Sequence, residues 1–388
     1  MGPVQAPRSC DVVVVGGGIL GLAAARELTA RHDGLHVAVL ERAPALATGQ
    51  TGQSSGVVHA GVYYEPGSLK ARLCVEGARD LYAYCAERGI PARRTGKLIV
   101  ATRASELPRL DELERRARAN GVEGARRLSA GEIAEVEPHA SGLSALHSPA
   151  TGTVDFRSVA DALAEDVRGA GGSVVLRCEV ERVREERDGA SVEHAHGRTA
   201  ARAVVACAGG ASDRLALASG APGHPIVVPV RGGYLRLRPE RSALVRASIY
   251  PVPDPALPFL GPHLTRRHDG EVLLGPTALL AGAYRRREAW RLARRHWRAG
   301  ITELHRAIRP RALVTAAQRL VPELRPADFE RGPVGVRAQA VARDGTLVDD
   351  FIVSRTGRCV HVRNAPSPAA TAALAIARLI ADEVAWVG

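Results

Sequence analysis

Residues 11–41, DVVVVGGGILGLAAARELTARHDGLHVAVLE, confine the chain to a narrow set of folds. Val12 to Val15 is a short unbroken apolar run, the pattern of a strand covered on both faces. Gly16, Gly18 and Gly21 then space a G-x-G-x-x-G turn, Ile19 to Ala30 are good helix formers, and a second apolar strand ends at Glu41. Strand, glycine turn, helix, strand and terminal acid form one βαβ unit, with the acid about 20 residues past the last glycine. Gly16 permits the tight turn, Gly18 lets backbone approach a pyrophosphate, and Gly21 lets helix and strand pack closely. Ile19 and Leu20 open a helix whose first amides carry a partial positive charge. Glu41, followed by Arg42, is placed to accept hydrogen bonds from a ribose diol. The unit is a dinucleotide site.

The 388 residues are 46% apolar and 24% charged, ordinary values for a globular chain large enough for more than one domain. No run approaches the roughly 18 apolar residues of a membrane-spanning helix. MGPVQAPRSC has one Arg and no dense basic patch, so a signal peptide is not expected and a cytoplasmic location is. The six cysteines are scattered, without C-x-x-C pairs or zinc-like Cys/His spacing, so buried free thiols are expected and no metal site. The net charge is +12, and of 53 basic residues only Lys70 and Lys97 are lysines. A basic balance attracts anions. With no helix-turn-helix or zinc-finger spacing and 4% aromatic residues, nucleic acid is not the expected partner.

The next segment, ERAPALATGQTGQSSGVVHAGVYYEPGSLKARLC, is too glycine-rich for a helix and too apolar for a solvated linker. Its small residues, among them Thr51, Ser54, Ser55 and Gly56, suit backbone lying against a large flat ligand, with hydroxyls free for phosphates. FAD running inward from the βαβ unit fits this pattern. Together with TGKLIVAT, IYPVPDPALPFLGPHLT, GPVGVRAQAVARDGTLVDDF and HVRNAPSPAATAALAIA, these segments resemble the L-2-hydroxyglutarate dehydrogenase/oxidase branch of the D-amino-acid-oxidase-like flavoproteins. The resemblance implies bound FAD, a 2-hydroxy acid substrate, a 2-oxo acid product, and quinone or oxygen as electron acceptor. An amine or amino-acid oxidase on the same fold is the alternative.

The expected fold is α/β, with a discontinuous Rossmann-like FAD-binding domain (9–90, 150–215 and 331–388) and a mixed or antiparallel-sheet α+β substrate domain (91–149 and 216–330). An amphipathic helix is expected from Arg157 to Gly169 after Asp155, and an apolar strand at Ala203 to Ala206, which ends near Ala208 and Gly209. The resemblance implies that Val180 offers backbone contacts to the adenine. Ser367 is a good N-cap and Pro368 a good first residue for a last helix, whose amides, with Asn364 before them, would face the flavin. Gly335 is a further expected cofactor contact.

Oxidising a 2-hydroxy acid requires a carboxylate receptor, a proton acceptor and a hydride acceptor. Arg337 in GVRAQ resembles the G-x-R element of related amino-acid oxidases, where Arg binds the carboxylate. Tyr64, Arg231 and Tyr234 are candidates for a second carboxylate. His59 in SGVVHAG is the first choice of base, with His263 and His361 as substitutes. Relative to the resembled family the chain is shortened near residues 284–288, inside the substrate domain, which leaves glutarate chain length open. Trp290, Ala293, Trp297, Ile301, Leu304 and Ile308 fall at helical spacing among Arg285, Arg286, Arg287, Arg291, Arg294, Arg295 and Arg298. A core-facing stripe with solvated arginines is the plainer reading; peripheral contact at an inner membrane face is the sharper one.

Overall fold

The computed structural model describes residues 5–254, 257, 260–282 and 286–384. The architecture is mixed α/β, built on two large sheets and one small one. The first sheet follows β10 (Val180–Glu186), β11 (Gly189–His194), β12 (Gly197–Ala206), β1 (Ser9–Val15), β2 (Val37–Leu40) and β9 (Ser173–Val175); β20 (Cys359–Asn364) adds to β12, and β19 (Ile352–Thr356) to β20. β1 runs parallel to both β2 and β12. The C-terminal ends of β1 and β12 therefore meet the start of α1 (Ile19–Arg31), the place where open α/β sheets bind nucleotides.

Val12 to Val14 are fully buried because helices cover the sheet. α1 presents Leu22, Ala23, Ala24, Ala25 and Leu28 to a core shared with α5 (Phe156–Gly169) and α10 (Ala373–Glu383). Asp155 caps α5, accepting from the Arg157 amide at 3.0 Å, a contact worth about 1 kcal/mol. Ser68 caps α2 (Leu69–Glu87) in the same way, from the Ala71 amide.

The second sheet follows β17 (Leu279–Leu280), β13 (Ile226–Leu237), β16 (Val272–Gly275), β15 (His263–Arg266), β14 (Ser248–Pro251), β5 (Lys97–Ala101), β7 (Ser144–Ser148) and β6 (Arg126–Ser129). The small sheet is β3 (Val57–Val58), β8 (Gly152–Val154) and β4 (Ala92–Arg93). One face of β5, β14 and β15 packs Leu98, Val100, Ile249 and Leu264 into a core with α4 (Ala130–Val136) and α9 (Pro310–Gln318). By strand alternation the other face carries Lys97, Tyr250 and His263. α3 (Leu107–Ala119) and α6 (Ser212–Ala218) complete the helices that lean on the sheets.

Three expectations need correction. The boundary at 331 moves, because β18 (Phe329–Val341) pairs along β13 and carries Gly335 and Arg337 into the second sheet. Ser367 is not an N-cap: residues 367–372 run in turns, and α10 begins only at Ala373. That segment lies against α2, where a Cβ on Gly77 would stand 2.5 Å from the Ala372 Cα. The core-facing reading of the tryptophan stripe also fails. α7 (Arg287–Arg295) buries Ala289 and Leu292 instead, and α8 (Trp297–Ile308) buries no residue. Trp290, Trp297, Ile301, Leu304 and Ile308 are all at least half exposed, from 50% to 68%. Arg285 and the heart of the shortened junction, residues 283–285, lie outside the described residues. Among the described residues no helix is long and apolar enough to cross a membrane, and all six cysteines are free thiols.

Candidate active site

The glycine turn forms a cradle at the edge of the first sheet. Gly16 has φ +108°, and a Cβ there would stand 2.5 Å from the Cys207 carbonyl at the end of β12. A Cβ on Gly21 would collide with the Gly16 carbonyl. Gly18 is the N-cap of α1 and supplies no side-chain cap, so the helix start is left to other partners. One is Thr51, whose Oγ1 accepts from the Ile19 amide at 3.1 Å. Glu41 turns back into the cradle: Oε2 accepts from the Gly17 amide at 2.6 Å and Oε1 from the Ala43 amide at 2.8 Å. Leu20 packs on the α1 core, while Arg42 is exposed. Ala208 and Gly209 follow the β12 end that touches Gly16.

From this cradle the chain runs along the glycine-rich segment. Ser54 and Ser55 are half-buried, and Ser54 accepts a bond from Arg267 through its carbonyl. Gly56 has φ +77° and its carbonyl accepts from Val154. Gln53 crosses to the second sheet: its Oε1 accepts from the Val336 amide at 3.0 Å, beside Gly335. Val180 opens β10 at a bulge, next to the turn in which the Cys178 amide donates to the Glu41 carbonyl.

His59 follows β3. Its amide donates to Thr371 Oγ1 at 3.0 Å, and its Nε2 lies 3.2 Å from the Ser367 hydroxyl. Burial first, and then the charges of Lys97, His263 and Lys70, hold its pKa well below the usual 6.5. The ring is neutral at pH 7, the form with an open lone pair on one ring nitrogen. His263 stacks on Tyr250 with centroids 3.9 Å apart, and its Nδ1 lies 2.8 Å from the Gly261 carbonyl. That bond puts the proton on Nδ1 and leaves Nε2 as an acceptor. Burial, with Arg337 and Lys97 adding to it, pushes the His263 pKa down to about 3.

Arg337 is exposed on β18 opposite Val230, and its charge reaches both His263 and Tyr250. Tyr234 couples to Tyr250 and lies against Gly275. The Tyr64 phenol bonds Ser367, and Lys70 Nζ stands 5.1 Å over its ring. Lys70 is itself neutralised by Asp349, at 2.8 Å. The structure thus brings His59, His263, Tyr64, Tyr234, Ser367 and Arg337 into one electropositive neighbourhood. A cleft of about 620 Å³ opens beside it, of mixed charge, with Tyr63, Tyr64, Lys70 and Arg116 facing the carboxylates of Glu65 and Asp349 among its lining.

Other candidates fall elsewhere. Arg231 pairs with Val336, one residue out of step with Arg337, so it projects from the opposite face and is exposed. His361 is buried in the first sheet, its Nε2 2.7 Å from Thr356 Oγ1. Asn364 spends its side-chain amide on the carbonyls of Val348 and Asp350. Pro368 belongs to the turns before α10 rather than to a helix. Lys97 was absent from the expected site. Its Nζ stands 4.3 Å from the Tyr250 ring centroid and 5.3 Å from that of Tyr63. The signal was available: both lysines of an otherwise all-arginine basic complement act on His59.

The family model for FAD dependent oxidoreductases (DAO) matches residues 11–383. The chain belongs to this family of FAD-dependent oxidoreductases. The family's cofactor fits the cradle: obligatory glycines, an uncapped helix start, hydroxyls at Thr51 and Ser54, and a carboxylate turned inward at Glu41 are the donor and acceptor set of a dinucleotide. Family relatives include the human mitochondrial L-2-hydroxyglutarate dehydrogenase, 45% identical over 97% of this chain and 89% of that protein. The L-2-hydroxyglutarate dehydrogenase of Indibacter alkaliphilus is 38% identical over 96% of this chain and 98% of its own. The human alignment spans 413 positions against 388 residues here, so that relative carries residues this chain lacks. The animal relatives are named mitochondrial and the bacterial one is not, so the cytoplasmic expectation gains no support from them. In fold, the chain matches the L-alpha-glycerophosphate oxidase of Mycoplasma pneumoniae, solved with FAD bound, at a TM-score of 0.82 and 23% identity, over 98% of this chain and 96% of that one. The glycine oxidase of Geobacillus kaustophilus matches at 0.75 and 21%, over 98% and 95%.

Proposed function

We propose that the chain, loaded with FAD, oxidises L-2-hydroxyglutarate to 2-oxoglutarate. The observation that carries this reading is a neutral, half-buried imidazole, His59, within reach of Lys97 and of His263, which in turn lies within reach of Arg337. The relatives named above act on the same acid, by their names. FAD, when bound, supplies the two-electron acceptor for the hydride that leaves the substrate's α-carbon. Arg337 offers a planar two-pronged donor for the adjacent carboxylate. His59 takes the hydroxyl proton at Nε2, where Ser367 orients the ring, and Thr371 fixes its backbone. Tyr250 and His263, stacked and both buried, form a dry wall of that neighbourhood. An amine substrate would bring its positive form against Lys97 and Arg337, which argues for the hydroxy acid over an amine. Anaerobic mixing of the yellow holoprotein with 2-hydroxyglutarate tests the reading: bleaching with formation of one 2-oxoglutarate per flavin supports it. An unchanged spectrum with every 2-hydroxy acid removes it.

We further infer peripheral seating on an anionic membrane surface. Two features support this. Trp297, Ile301, Leu304 and Ile308 of α8 are exposed together, and beside them Arg291, Arg294, Arg295 and Arg343 line a groove of about 660 Å³. Apolar and aromatic side chains next to arginines match the acyl boundary and anionic headgroups. Co-sedimentation with anionic vesicles, absent with zwitterionic ones and lost in a Trp297→Ser, Ile301→Ser double variant, is the expected result. Equal recovery with and without vesicles removes the inference.

A further inference from the structure

We propose that Lys97, together with the Tyr63 hydroxyl, is the receptor for the second carboxylate of a dicarboxylic 2-hydroxy acid. The proposal rests on the functional reading above and names the specificity determinant of that same site.

Lys97 is among the largest fully buried side chains, 1% exposed. A buried ammonium is normally paired with a carboxylate, because leaving water costs more than any single contact returns. Among the described residues Lys97 has neither a hydrogen bond nor an ion pair; its contacts are the ring faces of Tyr63 and Tyr250. Lys70 shows the ordinary solution nearby, with Asp349 at 2.8 Å. Cys74 is no substitute counter-ion, since burial pushes its thiol up to about 12. Two hydroxyls are unpartnered in the same neighbourhood: the buried Tyr63 oxygen, whose ring lies under Lys97, and the buried Ser248 Oγ, on the residue opposite Lys97 in β14. An ammonium and orphaned hydroxyls together are the complement of a carboxylate.

The placement selects the acid. His263 lies within the electrostatic reach of both Arg337 and Lys97, and His59 within reach of Lys97. Arg337 projects from β18, which pairs with β13, and Lys97 from β5, and β15 with His263 lies between β13 and β5 in the sheet, within reach of both charges. Two separate cations with the neutral imidazoles at the same site suit an acid charged at both ends. Lys97 presents a compact point charge on a fully buried stem, a position at which the larger planar guanidinium would need the neighbouring side chains to shift.

The test uses FAD-loaded protein and its Lys97→Met, Lys97→Arg and Tyr63→Phe variants. Calorimetry measures glutarate and pentanoate binding; turnover is measured with 2-hydroxyglutarate and 2-hydroxypentanoate. Lys97→Met is expected to weaken glutarate at least about 30-fold and to raise KM for 2-hydroxyglutarate similarly, with kcat within about threefold. Pentanoate binding and 2-hydroxypentanoate turnover are expected to change less than about threefold. Tyr63→Phe shifts the same selectivity ratio about fivefold, and carries the test if Lys97→Met loses its flavin. Lys97→Arg is expected to leave the ratio impaired. Equal losses on both acids, or unchanged glutarate affinity, overturn the proposal. Lys97-dependent glutarate binding in a protein that oxidises neither hydroxy acid keeps the receptor and removes the reaction.

Discussion

The Ser367 hydroxyl lies 3.2 Å from His59 Nε2, and the same hydroxyl bonds the Tyr64 phenol. A loop just before the last helix therefore orients a ring that follows β3, more than 300 residues earlier in the chain. Removing the ring's proton affinity should stop chemistry while leaving binding intact. His59→Gln is expected to lower kcat about 100- to 10,000-fold with KM little changed and flavin content preserved. Because the His59 pKa is held below 6.5, wild-type kcat/KM should be flat above that pH and fall only at more acid values. Steady-state pH profiles measure this; a limb rising through pH 7 to 8 would assign the base elsewhere.

Arg337 and its partner strand present a carboxylate fork. Arg337→Met should lower kcat/KM for any 2-hydroxy acid about 100-fold or more, and Arg337→Lys should recover only part of it, since a point charge lacks the second prong. The loss should be shared by mono- and dicarboxylic acids, which separates this residue from Lys97.

Gly16→Ala tests the cradle. The added methyl meets the Cys207 carbonyl at 2.5 Å on a backbone with φ +108°. A destabilisation of about 1–3 kcal/mol and a preparation depleted in flavin are expected, read by thermal melting and by the absorbance ratio of flavin to protein. Gly34→Ala, where a Cβ meets nothing within 4 Å but φ is +77°, should cost less and leave flavin content unchanged.

His361 gives an acid-stability prediction away from the reaction. Burial first, then Arg363, pushes its pKa down to about 4. Above 6.5 both folded and unfolded rings are neutral and the residue is silent. As pH falls from 6.5 towards 4, the unfolded ring takes a proton that the folded ring refuses, so stability drops, by about 3 kcal/mol at pH 4. His361→Phe should flatten that part of the pH–stability curve, as measured by denaturant titration at pH 7, 5.5 and 4.

The nucleotide half of the molecule was legible because its signal is local. Glycine spacing, strand length and Glu41 all sit within one supersecondary unit, and the cradle geometry repeats that spacing. The substrate half depends on pairing across long sequence distances. Arg231 and Arg337 read alike in the sequence, and only their register, Val336 beside one and Val230 beside the other, puts them on opposite faces. Ser367 has the composition of a helix cap, but the segment's packing against Gly77 of α2 holds it in turns and turns its hydroxyl to His59. Lys97 begins an apolar strand, where a lysine reads as a solvated end; its burial appears only once β14 and β7 flank it. The tryptophan stripe was periodic, yet period alone says nothing about which neighbour, if any, it meets.

Gln53 accepts from the Val336 amide, one residue before Arg337. The glycine-rich loop beside the cradle and the strand that carries Arg337 are thus stitched at a single peptide. Whatever fixes the loop also fixes the edge of β18 on which Arg337 stands, so order in one half of the molecule is carried to the other through Gln53.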